Sequence, residues 1–262
     1  MKTLNLAVIG KDVSKSLSPE MHAFIAEKTG NKVDYRKISV PEEEFEGSIE
    51  SLISGLDGFN VTIPYKLSII RHLEKTVGDA TSFGAVNTVK ARTGYNTDGE
   101  GFSLMLVNNG VDIGGKNVLL IGAGGAGRSV AKKLIEGGAA VDLYDLHYEN
   151  ALSVGGVRAL KEIEVKPYFL IVNASGVGMH KTEGISPVGG EVLRGCEVAL
   201  DLIYTPEKSK FLQIAESLGK KIINGAAMLF YQAYYAECIY FDRTANEAEA
   251  KRLFEEYKEN IK

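Results

Sequence analysis

The sequence predicts an α/β protein of two domains, the second of which contains a doubly wound parallel sheet. Short apolar runs alternate with amphipathic stretches along most of the 262 residues, a pattern typical of α/β proteins. A chain of this length suits one large domain or two modest ones. A glycine-rich turn at residues 122–127 follows a continuous apolar run and precedes a helical pattern, which indicates a nucleotide-binding unit.

The first half of the chain is predicted to form an α/β unit before that turn. Ser18-Pro19-Glu20 indicates a helix start, with Ser18 as the N-cap and Pro19 at the first helical position. Residues 33–39 alternate between apolar and polar, as expected of a strand with one buried face. The predicted elements are strands at 5–10, 33–39 and 58–63, helices at 18–29, 41–54 and 64–73, and a hairpin at 85–95.

The second half continues the alternation of strands and helices. A helix at 99–109 is predicted to join the halves, and the residues between 147 and 165 give no clear pattern. The predicted strands lie at 118–121, 140–144, 168–173, 197–202 and 221–223. The predicted helices follow the glycine-rich turn up to residue 136 and occupy 206–218, 225–241 and 244–262.

The glycine-rich turn has the spacing G-x-G-x-x-G. One glycine makes the tight turn, one lets the backbone approach a pyrophosphate, and one lets the helix pack against the strand. The helix N-terminus offers unpaired N–H groups and a positive dipole end to phosphates. Asp145 ends the next strand about 20 residues further on, where a ribose is usually bound. The alternative, a glycine-rich turn without a ligand, is disfavoured by this complete context. The sequence therefore predicts a dinucleotide site at Gly122, Ala123, Gly124, Gly125, Ala126, Gly127 and Asp145.

Polar residues in the first half are not all explained by folding. An N-cap explains Ser18 but leaves Ser16 unexplained, and two hydroxyls at a helix start suit a small carboxylate. Asn60 and Thr62 share one face of a predicted strand, and Lys66 lies just beyond its carboxyl end, where α/β sheets bind ligands. An isolated lysine at this place is more often a surface residue.

Three further polar residues have both a structural and a functional interpretation. Asn87 interrupts a β-rich run, and Asp98 precedes a helix, where it serves as an N-cap or as part of a site. Gln232 is the strong hydrogen-bonding amide on an aromatic helix and needs a partner there. That partner is either a polyol ligand or another helix.

Composition excludes several classes of function. The net charge of −4 argues against a nucleic-acid partner, and no apolar run approaches the length of a membrane span. Cys196 and Cys238 provide no disulfide framework, which indicates a reducing, cytoplasmic location. The four histidines lack metal-ligand spacing, so each is expected to be a satisfied or exposed side chain and no metal is expected.

In the order and spacing of its motifs, the chain resembles the shikimate dehydrogenase family, which includes the quinate/shikimate dehydrogenases, over essentially its full length. The motifs are Ser-Leu-Ser-Pro at 16–19, Asn-Val-Thr-Ile-Pro-Tyr-Lys at 60–66, Gly-Ala-Val-Asn-Thr at 84–88, Asn-Thr-Asp-Gly at 96–99, Gly-Ala-Gly-Gly-Ala-Gly at 122–127, Asp-Leu-Ile-Tyr-Thr-Pro at 201–206 and Gln-Ala at 232–233. The resemblance implies reversible oxidation of shikimate to 3-dehydroshikimate, a step of aromatic amino-acid biosynthesis. It also implies a substrate domain at 1–98 plus 225–262 and a Rossmann-type domain at 99–224.

The resemblance also implies roles for single residues. Lys66 and Asp98 would be the catalytic pair, and Ser16 and Ser18 would hold the substrate carboxylate with Tyr204 nearby. The ring hydroxyls and the lysine would be hydrogen-bonded by Asn60, Thr62, Asn87, Asp98 and Gln232. The resemblance adds Gly225 to the cofactor site. A small-molecule substrate, a nicotinamide cofactor and a monomer or homodimer are the implied partners.

The chain departs from the family pattern at the cofactor site. Members that use NADP usually carry Asn-Arg-Thr after the second strand, whose arginine binds the 2′-phosphate, whereas this chain has Asp145-Leu146-His147. A carboxylate accepts from a ribose 2′-hydroxyl and repels a 2′-phosphate, so the residues favour NAD while the family default is NADP. Ser175 and Gly176 change a loop near the nicotinamide, and the elements between 147 and 166 are expected to be reduced.

Three alternatives remain open at this point. An NAD-dependent quinate/shikimate dehydrogenase is the nearest, since it shares the substrate motifs. A non-catalytic nucleotide-binding regulatory protein would need the glycines but not Lys66, Asp98 and Gln232 together. A folate-linked dehydrogenase would have no evident use for the pair of serines.

Overall fold

The computed structural model describes residues 2–260 and divides them into two compact units. One unit contains the described residues up to Leu104 together with those from Phe230 onward, and the other is Met105–Leu229. Each unit contains a six-stranded sheet. The chain passes from one unit to the other within a helix that begins at Asp98 and returns within a helix that begins at Ala226.

The first unit has a mixed sheet with the strand order β2-β1-β3-β5-β6-β4. Strands β1, β2 and β3 run parallel, and β5 forms an antiparallel hairpin with β6. Its strands are β1 (Leu4–Gly10), β2 (Val33–Ser39), β3 (Gly58–Val61), β4 (Lys75–Thr76), β5 (Thr88–Lys90) and β6 (Thr93–Tyr95). Its helices are α1 (Ser18–Lys28), α2 (Glu42–Gly55), α3 (Asp79–Phe83), the start of α4 (Asp98–Asn108), most of α9 (Ala226–Tyr240) and α10 (Glu247–Asn260).

Burial patterns explain where these elements pack. In β1 the residues from Leu6 onward are buried, because this strand has neighbours on both sides and is covered on both faces. On α2, Phe45, Ile49 and Ile53 recur at helical spacing and enter a core with β1 and β3. Leu6 packs with Ala236 and Tyr240 of α9 in a second cluster.

Two predictions for the first unit are wrong. The segment 64–73 is a turn followed by a 3₁₀ helix at Ser68–His72. The Lys66 carbonyl accepts from the Val86 N–H and not from the residue four positions further on, as an α-helix would require. Ser18 is the first residue of α1 and not its N-cap, which is Leu17 without a side-chain cap. Instead the Ser18 N–H donates to the Ser16 Oγ at 3.2 Å, so the local capping role belongs to Ser16.

The second unit has a wholly parallel sheet with the order β12-β11-β10-β7-β8-β9. The chain starts in the middle at β7 and winds outward in both directions, which confirms the doubly wound prediction. Its strands are β7 (Asn117–Ile121), β8 (Ala140–Tyr144), β9 (Arg158–Leu160), β10 (Tyr168–Asn173), β11 (Cys196–Asp201) and β12 (Lys221–Ile223). Its helices are α5 (Gly125–Glu136), α6 (Tyr148–Leu152), α7 (Gly190–Leu193) and α8 (Lys210–Ser217), with the end of α4 and the start of α9.

Element boundaries differ from the predictions in a few places. Helix α8 begins at Lys210 and not at 206, because Ser209 is its N-cap and accepts from the Leu212 N–H. The unclear segment between 147 and 166 holds only the five residues of α6 and the three of β9. The last two residues of the predicted helix at 244–262 lie outside the described residues.

Residues 2–260 lack two features that would indicate the excluded classes. No helix in that range has the length and apolar character that crossing a membrane requires. The same residues contain no group of three or more histidines, cysteines or acidic residues that could hold a metal ion.

Candidate active site

Lys66 and Asp98 form an ion pair in the first unit. The Lys66 Nζ lies 2.6 Å from the Asp98 Oδ2, and the two side chains are 13% and 7% exposed. Lys66 lies in the turn after β3, and Asp98 is the first residue of α4, where its N–H donates to the Asn96 side chain. A charge-assisted hydrogen bond of this length, largely shielded from water, holds the amine in one place.

Asn87 connects this pair to helix α9. Its Nδ2 donates to the Asp98 Oδ1 at 2.9 Å and lies 3.3 Å from the Gln232 Oε1. Its Oδ1 accepts from the Thr97 N–H and the Thr88 hydroxyl, each at 2.9 Å. Because both ends of the amide are engaged, its orientation is fixed. The structure therefore brings together four of the residues singled out from the sequence: Lys66, Asn87, Asp98 and Gln232.

Asn60 supports this cluster from the neighbouring strand. Its Nδ2 donates to the Asn87 carbonyl at 3.1 Å and to the Thr88 hydroxyl at 3.0 Å. Its Oδ1 accepts from the Tyr35 hydroxyl at 2.7 Å. Both N–H groups of this buried amide therefore have partners within the protein. The second lone pair of the Asn60 Oδ1 is left to accept a hydrogen bond from a ligand. Thr62 follows β3 directly, with its N–H donating to the Ile9 carbonyl.

Ser16 and Ser18 lie together at the start of α1. The Ser16 hydroxyl donates to the Ser18 Oγ at 3.1 Å. Burial raises the pKa of Tyr35 well above its ordinary value, and the nearby Ser18 side chain opposes the rise. Sequence reasoning missed Tyr35, since nothing in an alternating strand distinguishes the tyrosine whose hydroxyl donates to Asn60.

The glycine-rich turn of the second unit lies between β7 and α5, as predicted. Gly122 has a φ of +106°, and a Cβ there would meet the backbone of Ala174 at 2.7 Å. A Cβ on Gly127 would collide with the Gly122 carbonyl oxygen, which explains the close packing of helix on strand. Gly124 is the N-cap of α5 without a side-chain cap, and a Cβ on it would meet nothing within 4 Å. The N–H groups of this helix start are therefore accessible to an anion.

Asp145 holds the same turn through its carboxylate. The Oδ2 accepts from the Ala123 N–H at 2.7 Å, and the Oδ1 accepts from the His147 N–H at 2.9 Å and the Asn150 amide at 3.1 Å. Burial raises the pKa of Asp145, but these hydrogen bonds outweigh it and leave the pKa below its ordinary value. The group is therefore an anion at neutral pH, at the end of β8. The glycine-rich turn, the open helix start and this carboxylate fit the pyrophosphate and adenosine ribose of a dinucleotide.

The loop after β10 is held by a buried polar cluster. Asn173 donates to Asp201 at 3.0 Å and accepts from the N–H and hydroxyl of Ser175 at 3.1 and 2.6 Å. Asp201 accepts from Ser209 at 2.5 Å, and burial raises its pKa above the ordinary value. Ser175 thus has a role within the loop itself.

Tyr204 and Gly225 complete the sequence-derived set and both belong to the second unit. Tyr204 lies after β11, and burial raises the pKa of its hydroxyl. A Cβ on Gly225 would collide with the Leu202 carbonyl oxygen, so packing at the start of α9 is one reason for this glycine.

Comparison with known proteins agrees with this geometry. Residues 8–89 match the family described as the shikimate dehydrogenase substrate binding domain. The chain is 38% identical over 255 residues to "Shikimate dehydrogenase (NADP(+))" of Syntrophomonas wolfei, covering 88% of this chain and 87% of the relative.

Two solved structures are similar over nearly the whole chain. A chorismate mutase/shikimate 5-dehydrogenase fusion protein from Clostridium acetobutylicum superposes with a TM-score of 0.91 at 32% identity, covering 100% of this chain and 99% of that one. The shikimate 5-dehydrogenase of Thermus thermophilus, in complex with NADP(H) and shikimate, gives a TM-score of 0.85 at 33% identity, covering 97% and 99%. The chain belongs to the shikimate dehydrogenase family.

Proposed function

We propose that this protein catalyses reversible hydride transfer between a nicotinamide cofactor and shikimate, with 3-dehydroshikimate as the oxidised product. The observation that carries the proposal is the cluster of Lys66, Asp98, Asn87 and Gln232, in which successive hydrogen-bonding contacts link an amine, a carboxylate and two amides. This combination suits a hydroxylated ring whose hydroxyl must lose a proton.

Lys66 is proposed as the proton-transfer group. When a carbinol carbon is oxidised, its hydroxyl proton must leave along with the hydride, and one side chain has to accept that proton. The bound nicotinamide supplies the hydride chemistry. In the oxidative direction Lys66 acts as the neutral amine and takes the proton from the substrate hydroxyl. In the reductive direction its ammonium, the form that is ion-paired with Asp98, returns that proton. Asp98, 2.6 Å from the Lys66 Nζ, orients the amine.

Substrate recognition is assigned to the first unit. Ser16 and Ser18 present two adjacent hydroxyls at the start of α1, which suits a carboxylate. Asn87, Gln232 and Thr62 are proposed to bind ring hydroxyls as hydrogen-bond partners. Asn60 contributes through its Oδ1, since both of its N–H groups are engaged within the protein.

The cofactor is assigned to the second unit and is proposed to be NAD in preference to NADP. The glycine-rich turn and the start of α5 receive the pyrophosphate, and Asp145 accepts from a ribose hydroxyl. The carboxylate is anionic at neutral pH and would repel a 2′-phosphate. The relative from Syntrophomonas wolfei is named for NADP(+), so this preference would be a property of the present chain.

Lys66→Ala tests the catalytic assignment. We expect kcat for shikimate oxidation to fall by about 10² to 10⁴-fold, the usual contribution of a general acid–base, with little change in shikimate affinity. Lys90→Ala is the matched control, because Lys90 forms a 2.7 Å ion pair with Asp242 in the same unit but outside the cluster. Near-normal turnover in Lys66→Ala would remove Lys66 from the mechanism.

A steady-state assay crossing shikimate and quinate with NAD and NADP tests the rest of the proposal. We expect the highest kcat/KM with shikimate and NAD. A higher kcat/KM with quinate would identify the protein as a quinate-preferring enzyme, and a strong NADP preference would contradict the argument from Asp145. Nucleotide binding without turnover of either substrate would identify a regulatory protein.

A further inference from the structure

His22 and Glu237 form a buried pair that has no place in the proposed chemistry. The His22 Nδ1 lies 2.6 Å from the Glu237 Oε1, and the side chains are 0% and 1% exposed. Among the described residues, the other histidine nitrogen and the other carboxylate oxygen have no hydrogen-bond partner. Burying two ionisable groups with one mutual hydrogen bond gives the fold little or no net stability. Stability alone therefore does not account for the pair, and the residues that it contacts indicate another role.

The pair supports the ring of Tyr35. The His22 ring stacks on the Tyr35 ring with 4.2 Å between centroids and 19° between planes. Glu237, from α9, fixes the plane of the imidazole through the 2.6 Å contact. His22 is four residues after Ser18, so both side chains project from the same face of α1. Tyr35 therefore contacts α1 through its ring, on the helix face that also carries Ser18.

The Tyr35 hydroxyl lies between two parts of the candidate site. The Ser18 side chain is near enough to affect its pKa, and the hydroxyl donates to the Asn60 Oδ1 at 2.7 Å. Asn60 in turn holds the Asn87 main chain, and Asn87 donates to Asp98. A polar chain results, in which hydrogen bonds lead from Tyr35 through Asn60, Asn87 and Asp98 to Lys66. The hydrogen-bonded pair Ser16 and Ser18 lies at its other end, beside Tyr35.

We propose that Tyr35, held by the His22–Glu237 pair, is a positioning residue that sets the spacing between the serine pair and the Lys66–Asp98 cluster. This inference rests on the proposed function, because that spacing matters only if one substrate carries both a carboxylate and a reacting hydroxyl. A rigid ligand gains affinity only when both sets of partners are fixed at the correct separation. Tyr35 itself does not touch the reacting atoms.

Tyr35→Phe removes the hydroxyl and keeps the ring on His22. We expect KM for shikimate to rise about tenfold, the effect of one well-formed hydrogen bond, with kcat within about threefold of wild type because Lys66 and Asp98 are unchanged. Tyr234→Phe is the control. Its hydroxyl donates to Glu249 at 2.6 Å, outside the polar chain, so its loss should lower thermal stability and leave KM unchanged.

Substitutions at Glu237 test the support of the ring. Glu237→Leu should raise KM as Tyr35→Phe does, while Glu237→Gln, which can still hydrogen-bond His22, should keep KM near wild type. If both residues act through the same hydroxyl, the double variant Tyr35→Phe/Glu237→Leu should be no worse than the more affected single variant. If Glu237→Leu does not fold, the comparison of KM between Tyr35→Phe and Tyr234→Phe decides the question by itself.

Three results would overturn the inference. If the wild type is active and Tyr35→Phe has the wild-type KM, the positioning role is overturned and the proposed function stands. Additive effects of Tyr35→Phe and Glu237→Leu on KM would have the same meaning. A wild type without turnover of shikimate overturns the proposed function and this inference with it.

Discussion

Asp142 is expected to stabilise the second unit in a pH-dependent way. On β8 it accepts two 2.7 Å hydrogen bonds from Arg158, on the edge strand β9, and one of 2.9 Å from Tyr168, and it lies 2.6 Å from the Lys166 Nζ. Its side chain is 10% exposed. Burial raises the pKa of Asp142, but the hydrogen bonds from these three residues outweigh it and lower the pKa from 3.8 to about 2.

The free energy follows from linkage between protonation and folding. Because the folded pKa lies below the unfolded one, the stabilisation is complete above pH 3.8 and is lost as pH falls through about 2. A difference of about 1.8 units corresponds to about 2.4 kcal/mol, which we reduce to about 2 kcal/mol because the half-exposed Arg158 is screened by solvent. By the same relation, Asp142 stabilises the folded state by about 1 kcal/mol at pH 3 and by about 0.3 kcal/mol at pH 2.

Urea unfolding followed by circular dichroism at pH 7, 3 and 2 measures this contribution. Asp142→Asn should lower the unfolding free energy by about 2 kcal/mol at pH 7, and its difference from wild type should shrink as pH falls. Asp112→Asn is the control, because this exposed carboxylate accepts a single hydrogen bond from the Gly114 N–H. A loss below 0.5 kcal/mol at pH 7, or a difference that persists at pH 2, would refute the reasoning.

Two predictions concern the cofactor site. Replacing Asp145-Leu146-His147 by Asn-Arg-Thr removes an anion at 145 and adds a cation at position 146, where the present leucine is 82% exposed. The ratio of kcat/KM with NADP to kcat/KM with NAD should therefore rise by about 100-fold or more. The control, Leu152→Arg, adds the same charge at another exposed position and should leave this ratio unchanged. Gly127→Ala should destabilise the second unit by about 1–3 kcal/mol, since its Cβ meets backbone, whereas Gly124→Ala should keep the melting temperature and raise KM for the cofactor. Equal melting temperatures for the two alanine variants would contradict the glycine argument.

The second sheet could be predicted from sequence because its strands are continuous apolar runs next to glycine-rich turns. The prediction for β10 has the observed bounds, Tyr168–Asn173, since a strand buried on both faces has a strong local signal. The two-residue β4 and the five-residue α3 were missed, because elements this short carry almost no periodicity. The sequence pattern predicts a helix after β3, and this is wrong because the hydrogen bond that decides the turn, from the Val86 N–H to the Lys66 carbonyl, joins residues 20 positions apart.

The residues of the candidate site also differ in how far the sequence reveals them. Lys66, Asn87, Asp98 and Gln232 could be singled out because each is a polar residue in a motif, although their proximity was implied only by the family resemblance. For His22, the sequence predicts no more than a satisfied or exposed side chain. Its buried partner is 215 residues away on α9, a contact that no local pattern contains.

The first unit is discontinuous in sequence, and this has a consequence for how the protein is made. Residues 105–229 form a contiguous unit, so all of it has been synthesised before the first unit, which needs the stretch from Phe230 onward, is complete. Until then β1 lacks the apolar cover of Ala236 and Tyr240, and Gln232 and Glu237 do not yet exist. During synthesis, the nucleotide-binding half should therefore mature before the half that is proposed to bind substrate, and a nascent chain stalled before Phe230 should expose an incomplete sheet to chaperones.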